Sequence, residues 1–269
     1  MTSLPLLLAA VLAAAPQPKP DSRPIILATT TSFQDTGLLD VLVKKFAEQG
    51  GGQVKAIAVG TGEALAMGER GDADVLVVHA PKSEDAFMAA GHGRERRALW
   101  HNDFLVVGPK PDPAGIRGAR SAVEAFKKIA AAPKAVFASR GDKSGTHKKE
   151  QDLMAKAGLE KWPNILSTGQ GMVETLRIAS ERQAYSLTDR GSWLVAKPTL
   201  DLDPLVEGDA ALSNPYHVIE VDPAKHPNVN AEGARKFAQF LVSPETQKLV
   251  GEFGKVKFGQ ALFVPDAKP

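Results

Sequence analysis

Short apolar runs alternate along this chain with segments whose apolar residues recur at helical spacing. The runs at 25–28, 54–59, 74–78 and 104–107 predict strands, and the segments 36–49, 63–70 and 83–90 predict helices. In the first helical segment Leu38, Leu39, Leu42, Val43 and Phe46 fall on one face. Lys110-Pro111-Asp112-Pro113 breaks the pattern in a way that suits a hinge or crossover. A second block then repeats it, with a helix at 121–132, a strand at 135–138, helices at 146–157 and 171–182, a strand at 184–187 and a short helix near 189–194. Residues 197–204 read as a return crossing, followed by a strand near 216–221 and helices at 231–241 and 244–253. Pro244 sits well there as the first helical residue behind Ser243. Such alternation predicts an α/β protein with mostly parallel sheets. The ordering suits two lobes, the first from 24–108 plus 205–269 and the second from 109–204.

Three predicted strands empty into loops of one chemical kind. Ala28-Thr29-Thr30-Thr31-Ser32 follows Ile25-Ile26-Leu27, and Val59-Gly60-Thr61-Gly62 closes the second run. Ser139-Arg140-Gly141-Asp142-Lys143-Ser144-Gly145-Thr146 lies between Ala135-Val136-Phe137-Ala138 and a helix carrying Leu153, Met154 and Ala157. Hydroxyls and glycines at a helix start are ordinary caps when met singly. Three such loops, one with a permanent cation, suggest convergence on a small anion, because helix-start N–H groups and hydroxyls are donors and glycine allows close approach.

Composition narrows the setting. The chain has 269 residues, 24% of them charged, and a net charge of +2, so no basic block suggests a nucleic-acid groove. Arg94-Glu95-Arg96-Arg97 and Lys148-Lys149 read as solvated surface. Residues 4–15 are apolar and end in Ala13-Ala14-Ala15, too short for a membrane span but suited to a secretory signal. Residues 1–23 are therefore expected to be a signal peptide and a disordered, proline-rich leader, cut between Ala13 and Asp21. Cysteine is absent, which excludes disulfides, a catalytic thiol and an acylated N-terminal cysteine anchor. The expected product is a free periplasmic protein.

Other chemistries find little support. Gly60-Thr61-Gly62 lacks the third glycine of a dinucleotide fingerprint, and no Gly-Lys-Ser/Thr phosphate loop exists. None of the six histidines pairs at i, i+4, so no metal site and no cofactor is expected. His79 and His101 sit at strand ends and could line a cleft or cap one. Ser144 and His147 are better explained as caps than as a hydrolase pair.

The order of Ala28-Thr29-Thr30-Thr31-Ser32, Gly37-Leu38-Leu39, Ala58-Val59-Gly60-Thr61-Gly62, Gly71-Asp72-Ala73-Asp74, His79-Ala80-Pro81, Asn102-Asp103-Phe104, Ser139-Arg140-Gly141-Asp142, Ser144-Gly145-Thr146-His147, Gly171-Met172 and Leu187-Thr188-Asp189-Arg190-Gly191 resembles the tungstate-binding proteins of bacterial ABC importers, the TupA type. The resemblance runs from about Ile25 to Gly259. It implies a two-lobed periplasmic binding protein of the second structural type, with a ligand cleft between lobes joined by two crossings. It further implies a non-enzymatic receptor for tungstate, working as a monomer with a separate permease and ATPase. Carried over by position, it implicates Thr30, Thr31, Ser32 and Thr61 from one lobe, and Ser139, Arg140, Ser144, Gly145 and Thr146 from the other. This chain has Phe33 where the resemblance leads one to expect a further threonine. Molybdate is nearly the same size and shape as tungstate, so the two are not separated. A phosphate receptor would need a carboxylate acceptor, for which Asp35, Asp142 and Asp189 are the candidates, with capping or pairing to Arg140 or Arg190 as their simpler role. An enzyme acting on a phosphorylated substrate would have only His147 and Asp142 to work with.

Overall fold

The computed structural model describes residues 23–159 and 161–267. The expected signal peptide and leader lie outside the described residues except for Arg23, which is tied to the fold: its Nη1 donates to the Asn228 carbonyl at 2.9 Å, and its own carbonyl accepts Asn230 Nδ2 at 3.0 Å.

The chain begins with β1 (Ile25–Thr30), α1 (Thr31–Asp35), α2 (Leu38–Glu48), β2 (Val54–Val59), α3 (Thr61–Arg70), β3 (Val75–Val78), α4 (Pro81–Ala89) and β4 (Gly93–Gly108). It continues with α5 (Ala122–Ala131), β5 (Phe137–Ser139), α6 (Gly145–Lys156), β6 (Ile165–Ser167), α7 (Met172–Glu181), β7 (Tyr185–Asp189), α8 (Arg190–Ala196) and β8 (Asp203–Val206). It ends with β9 (Ser213–Val221), α9 (Ala231–Val242), α10 (Pro244–Glu252), α11 (Lys255–Phe258) and β10 (Val264–Pro265).

The strands follow the order β2-β1-β3-β9-β4-β7-β5-β6, with β10 and β8 also pairing with β4. β1 pairs in parallel with β2 and β3, and β5 in parallel with β6 and β7, while every pairing of β4 and β9 is antiparallel. β4 belongs to both sheets. Up to Asp103 it pairs with β9, where Asn102 faces Asn214 and Asp103 faces Ser213. From Phe104 onward it pairs with β7, where Phe104 faces Asp189. The chain thus changes lobe in mid-strand, between Asp103 and Phe104, rather than at the expected 108. It returns just after Leu212, a core residue of lobe 2, rather than at 204. The Pro/Gly-rich stretch after Gly108 is a surface turn of lobe 2 that buries Ile116. Turn residues mark where a chain reverses, and an extended strand can cross between lobes without any.

Each lobe buries apolar side chains on both faces of its sheet. In lobe 1, Leu27, Leu39, Leu42, Phe46 and Phe237 pack on one face and Ala28, Leu65, Leu76 and Phe87 on the other. Phe33 lies in the first cluster, 1% exposed, with ring centroids 5.7 Å from both Trp100 and Tyr216. Its side chain therefore serves the core and takes no donor away from the cleft. The helix expected over 36–49 starts at Leu38, with Gly37 at φ +80° as its N-cap, and the short helix α1 precedes it. Arg94 and Arg97, read from sequence as solvated, instead clamp the buried carboxylate of Glu220 on β9. Arg96 pairs with Asp85 at 2.7 Å. Charge hid this half of β4 from an apolar-run reading.

Candidate functional site

Strand ends of both lobes deliver helix starts to one cleft. β1 ends at Thr30, whose hydroxyl accepts the Phe33 N–H at 3.3 Å as the cap of α1 and lies 3.3 Å from Ser32 Oγ. Thr31 is half-buried at the first position of α1, and Ser32 is buried. After β2, Gly60 caps α3 without a side chain, so its first N–H groups lack a side-chain acceptor. Thr61 follows, fully buried, and its hydroxyl has no hydrogen-bond partner among the described residues. A buried hydroxyl without a partner costs free energy unless a ligand supplies one.

From lobe 2, β5 ends at Ser139 and Arg140, both 2% exposed. The Arg140 guanidinium donates from Nε to the Gln170 carbonyl at 2.7 Å and from Nη2 to Asp142. Asp142 also accepts the Ser144 N–H at 3.0 Å. Burial pushes its carboxyl up, but the Ser144 hydrogen bonds and the Arg140 charge outweigh that and hold it below the usual range. The turn needs positive φ at Gly141 (+61°) and Lys143 (+64°). Ser144 then caps α6 by accepting the His147 N–H at 3.2 Å, with Gly145 and Thr146 buried behind it. The His147 ring is committed as well, since its Nδ1 accepts the Lys143 N–H at 2.9 Å. Ser144 and His147 therefore serve as a cap and a loop brace.

The expected set is brought together unevenly. Thr30, Thr31 and Ser32 lie at the start of α1, Thr61 at the start of α3, and Ser144, Gly145 and Thr146 at the start of α6, with Arg140 in the loop between β5 and α6; of these, Gly145 and Thr61 approach one another across the lobes. Ser139 does not offer its hydroxyl there, because it donates to Glu150 on α6. Glu150 is 0% exposed, and its other oxygen accepts the Arg140 backbone N–H at 3.1 Å. Burial pushes this carboxyl up to about 7, with the bonds from Ser139 and Arg140 opposing. Sequence did carry a signal for Glu150: it shares a face with Leu153 and Ala157, a carboxylate on the apolar side of an amphipathic helix.

The lobes touch across the cleft at Gly145. A Cβ there would lie 2.8 Å from His79 Cε1 and 3.1 Å from Thr61 Oγ1. Lys82 pairs with Asp152 at 2.6 Å, and Lys148 Nζ meets Ser83 Oγ at 2.9 Å, so two further bonds span the lobes beside it. A cavity of about 200 Å³ opens there, lined in part by His79, Gly145, Lys148 and Lys149.

His79 lines the cavity from lobe 1. Asn214 Nδ2 donates to Asn102 Oδ1 at 2.6 Å, which turns Asn214 Oδ1 toward His79 Nδ1 at 2.8 Å. Nδ1 therefore carries the proton, and Nε2, 3.4 Å from Ser32 Oγ, is an acceptor. The ring stacks on Tyr216 with centroids 4.5 Å apart. Burial lowers its pKa to about 4, with the Asn214 bond opposing. The folded value lies below the free one of about 6.5, so acidification from there toward about 4 costs native stability. Nitrogen NMR shifts of His79 are expected to stay those of a neutral imidazole from pH 8 to pH 5; protonation near pH 6.5 would show that the ring is not buried as described. Asn102, Asn214 and Tyr216 could not be found from sequence, because their association depends on strand register.

The chain matches a PBP superfamily domain over residues 15–245. It is 48% identical over 246 residues to the tungstate-binding protein TupA of Peptoclostridium acidaminophilum, covering 90% of this chain and 86% of that protein. Among solved structures, the tungstate-binding protein TupA of Desulfovibrio alaskensis G20 matches with a TM-score of 0.79 at 45% identity, covering 91% of this chain and 100% of that one. The tungstate ABC transporter protein of Geobacter sulfurreducens matches with a TM-score of 0.77 at 46% identity, covering 86% and 98%.

Proposed function

This chain belongs to the PBP superfamily and, within it, to the family of TupA tungstate-binding proteins, and from that premise we propose that it is the substrate-binding component of a tungstate ABC importer. It is a binding protein and not an enzyme. The observation that carries the ligand class is a buried guanidinium, Arg140, after β5 of one lobe, together with an unpartnered buried hydroxyl, Thr61, of the other lobe, which Gly145 at the start of α6 approaches.

Tungstate at neutral pH is a tetrahedral dianion with four acceptor oxygens and no proton to give. Its site should therefore present donors: the hydroxyls of Thr30, Thr31, Ser32, Thr61 and Thr146, the N–H groups at the starts of α3 and α6, and Arg140. Charge-assisted bonds contribute about 1.5–3 kcal/mol each, so several together exceed the roughly 12 kcal/mol that nanomolar binding needs only when most of them are engaged. Closure across Gly145 is what engages both lobes at once. The protein acts as a periplasmic monomer that hands its cargo to a separate permease and ATPase. No helix among the described residues is long and apolar enough to cross a membrane.

A thermal-shift panel on dialysed protein tests the reading, using tungstate, molybdate, sulfate and phosphate. At a hundred times Kd a ligand stabilises by about 2.7 kcal/mol, which raises the midpoint by a few degrees for a chain of this size. A shift with micromolar tungstate and none with sulfate or phosphate is expected, leaving molybdate to be ranked by calorimetry. A shift with phosphate alone, or with no oxyanion, would overturn the assignment.

A further inference from the structure

Charge around the cleft does not balance a dianion. The cations Arg140, which is buried, and Lys148 and Lys149, which line the cavity half-buried, are accompanied by the carboxyls of Asp142, Glu150 and Asp189, with Asp35 nearby on α1. If all are ionised, the region is negative before a ligand carrying two more negative charges arrives. A buried site with that excess takes up a proton, because desolvation penalises each added charge.

Geometry selects the group that can hold the proton. Both oxygens of Asp142 are engaged, one by Arg140 and one by the Ser144 N–H. Both oxygens of Glu150 accept, from the Ser139 hydroxyl and the Arg140 N–H, so a proton there would require the Ser139 hydroxyl to turn round and accept. Asp189 differs. It is fully buried at the end of β7, and its Oδ1 caps α8 by accepting the Ser192 N–H at 2.9 Å, while Oδ2 has no partner. The same corner holds further buried polar atoms without partners among the described residues: Ser192 Oγ, the Tyr216 hydroxyl and Asn102 Nδ2. A proton on Oδ2 would break no existing hydrogen bond.

We propose that Asp189 is the proton-bearing residue of the site: when tungstate enters the cleft, Asp189 Oδ2 takes one proton from solvent, and the dianion is held as tungstate plus that proton. One O–H bond forms at Asp189 and none breaks in the ligand. The inference rests on the tungstate reading. The charged and titratable groups that face Asp189 are Asp35 from α1, Arg140 from the end of β5 and Tyr216 from β9. Asp103 of β4 is neutralised by Arg190 at 2.5 Å, with Glu207 on the same guanidinium, and the charged residues of α7, Glu174, Arg177 and Glu181, are all at the surface. Burial raises the Asp189 carboxyl, with Ser192 and the Arg140 charge opposing.

The test is calorimetry with sodium tungstate between pH 7 and 8.5, in buffers of different ionisation enthalpy, on the mature chain and its variants. The unsubstituted protein is expected to take up close to one proton, with affinity falling by up to about tenfold per pH unit. Asp189→Asn keeps the cap, since the amide oxygen still accepts the Ser192 N–H, and is expected to abolish the uptake and flatten the pH dependence. Glu150→Gln is expected to retain both. Infrared spectra of protein labelled at aspartate carboxyls supply a readout that needs no variant: a carboxylic-acid band of aspartate should appear on adding tungstate. Absence of that band, uptake unchanged in Asp189→Asn, or uptake lost in Glu150→Gln and kept in Asp189→Asn would each overturn the proposal. No binding heat with tungstate at any pH would instead overturn the functional reading itself.

Discussion

Arg140→Ala is expected to weaken tungstate binding by about 2–5 kcal/mol, roughly 30- to 5,000-fold, the cost of truncating one member of a buried, hydrogen-bonded charge pair. The guanidinium is held by the Gln170 carbonyl and by Asp142, so its position is set before the ligand arrives. Removing it leaves the Asp142 charge without its cation in a site meant for an anion, and that repulsion adds to the lost donors. The fold should persist. Glu150 holds the Ser139 hydroxyl and the backbone N–H of residue 140, neither of which depends on the side chain removed. Arg140→Lys separates charge from geometry: it keeps the cation and loses the fork, and intermediate affinity is expected. Calorimetry with tungstate, beside the melting midpoint of the ligand-free protein, checks both parts. Near-normal affinity in the alanine variant would remove Arg140 from the site.

Gly145→Ala should cost about 1–3 kcal/mol of binding, roughly 5- to 150-fold, by preventing the lobes from meeting. The added methyl would stand 2.8 Å from His79 Cε1 and 3.1 Å from Thr61 Oγ1, both in the opposite lobe. Neither neighbour can yield easily. His79 is fixed between Asn214 and the Tyr216 ring, and Thr61 opens α3. The ligand-free protein should melt normally, because opening the cleft relieves the clash and alanine suits a helix start. Small-angle scattering gives a second readout: addition of tungstate should compact the unsubstituted protein more than the variant. Equal compaction and equal affinity would show that Gly145 does not set the closing distance.

Much of the fold was legible because its elements have a clean period. The Ile25, Val54 and Val75 strands are short apolar runs, and α2, α5, α6, α7, α9 and α10 carry one-sided apolar faces, so local pattern and final burial agree. The hydroxyl-rich loops proposed to bind the anion were legible for a related reason. Donor-rich sequences at helix starts, such as Thr30 to Ser32 and Ser139 to Thr146, are read from residue type and order alone. Legibility failed where the partner is distant. The Arg94 to Arg97 stretch looks solvated until Glu220 is placed beside it, and Asn102, Asn214 and Tyr216 reach His79 and Ser32 only through the register of β4, β9 and β3.

Residue type and spacing by themselves determined an α/β chain of two lobes, cysteine-free, with three hydroxyl-rich loops and one loop arginine suited to a small oxyanion. Those properties are local, because periodicity, capping and donor chemistry act over a few residues. Tertiary structure alone decided that the chain crosses between lobes inside β4, that the Ser139 hydroxyl is spent on Glu150, that Phe33 belongs to the core, and that Gly145 meets His79 and Thr61. It also decided that, of the carboxyls around Arg140, Asp189 keeps a buried oxygen without a hydrogen-bond partner. Each of these depends on groups far apart in the chain brought within a few ångströms, where desolvation and packing, not local preference, set the free energy.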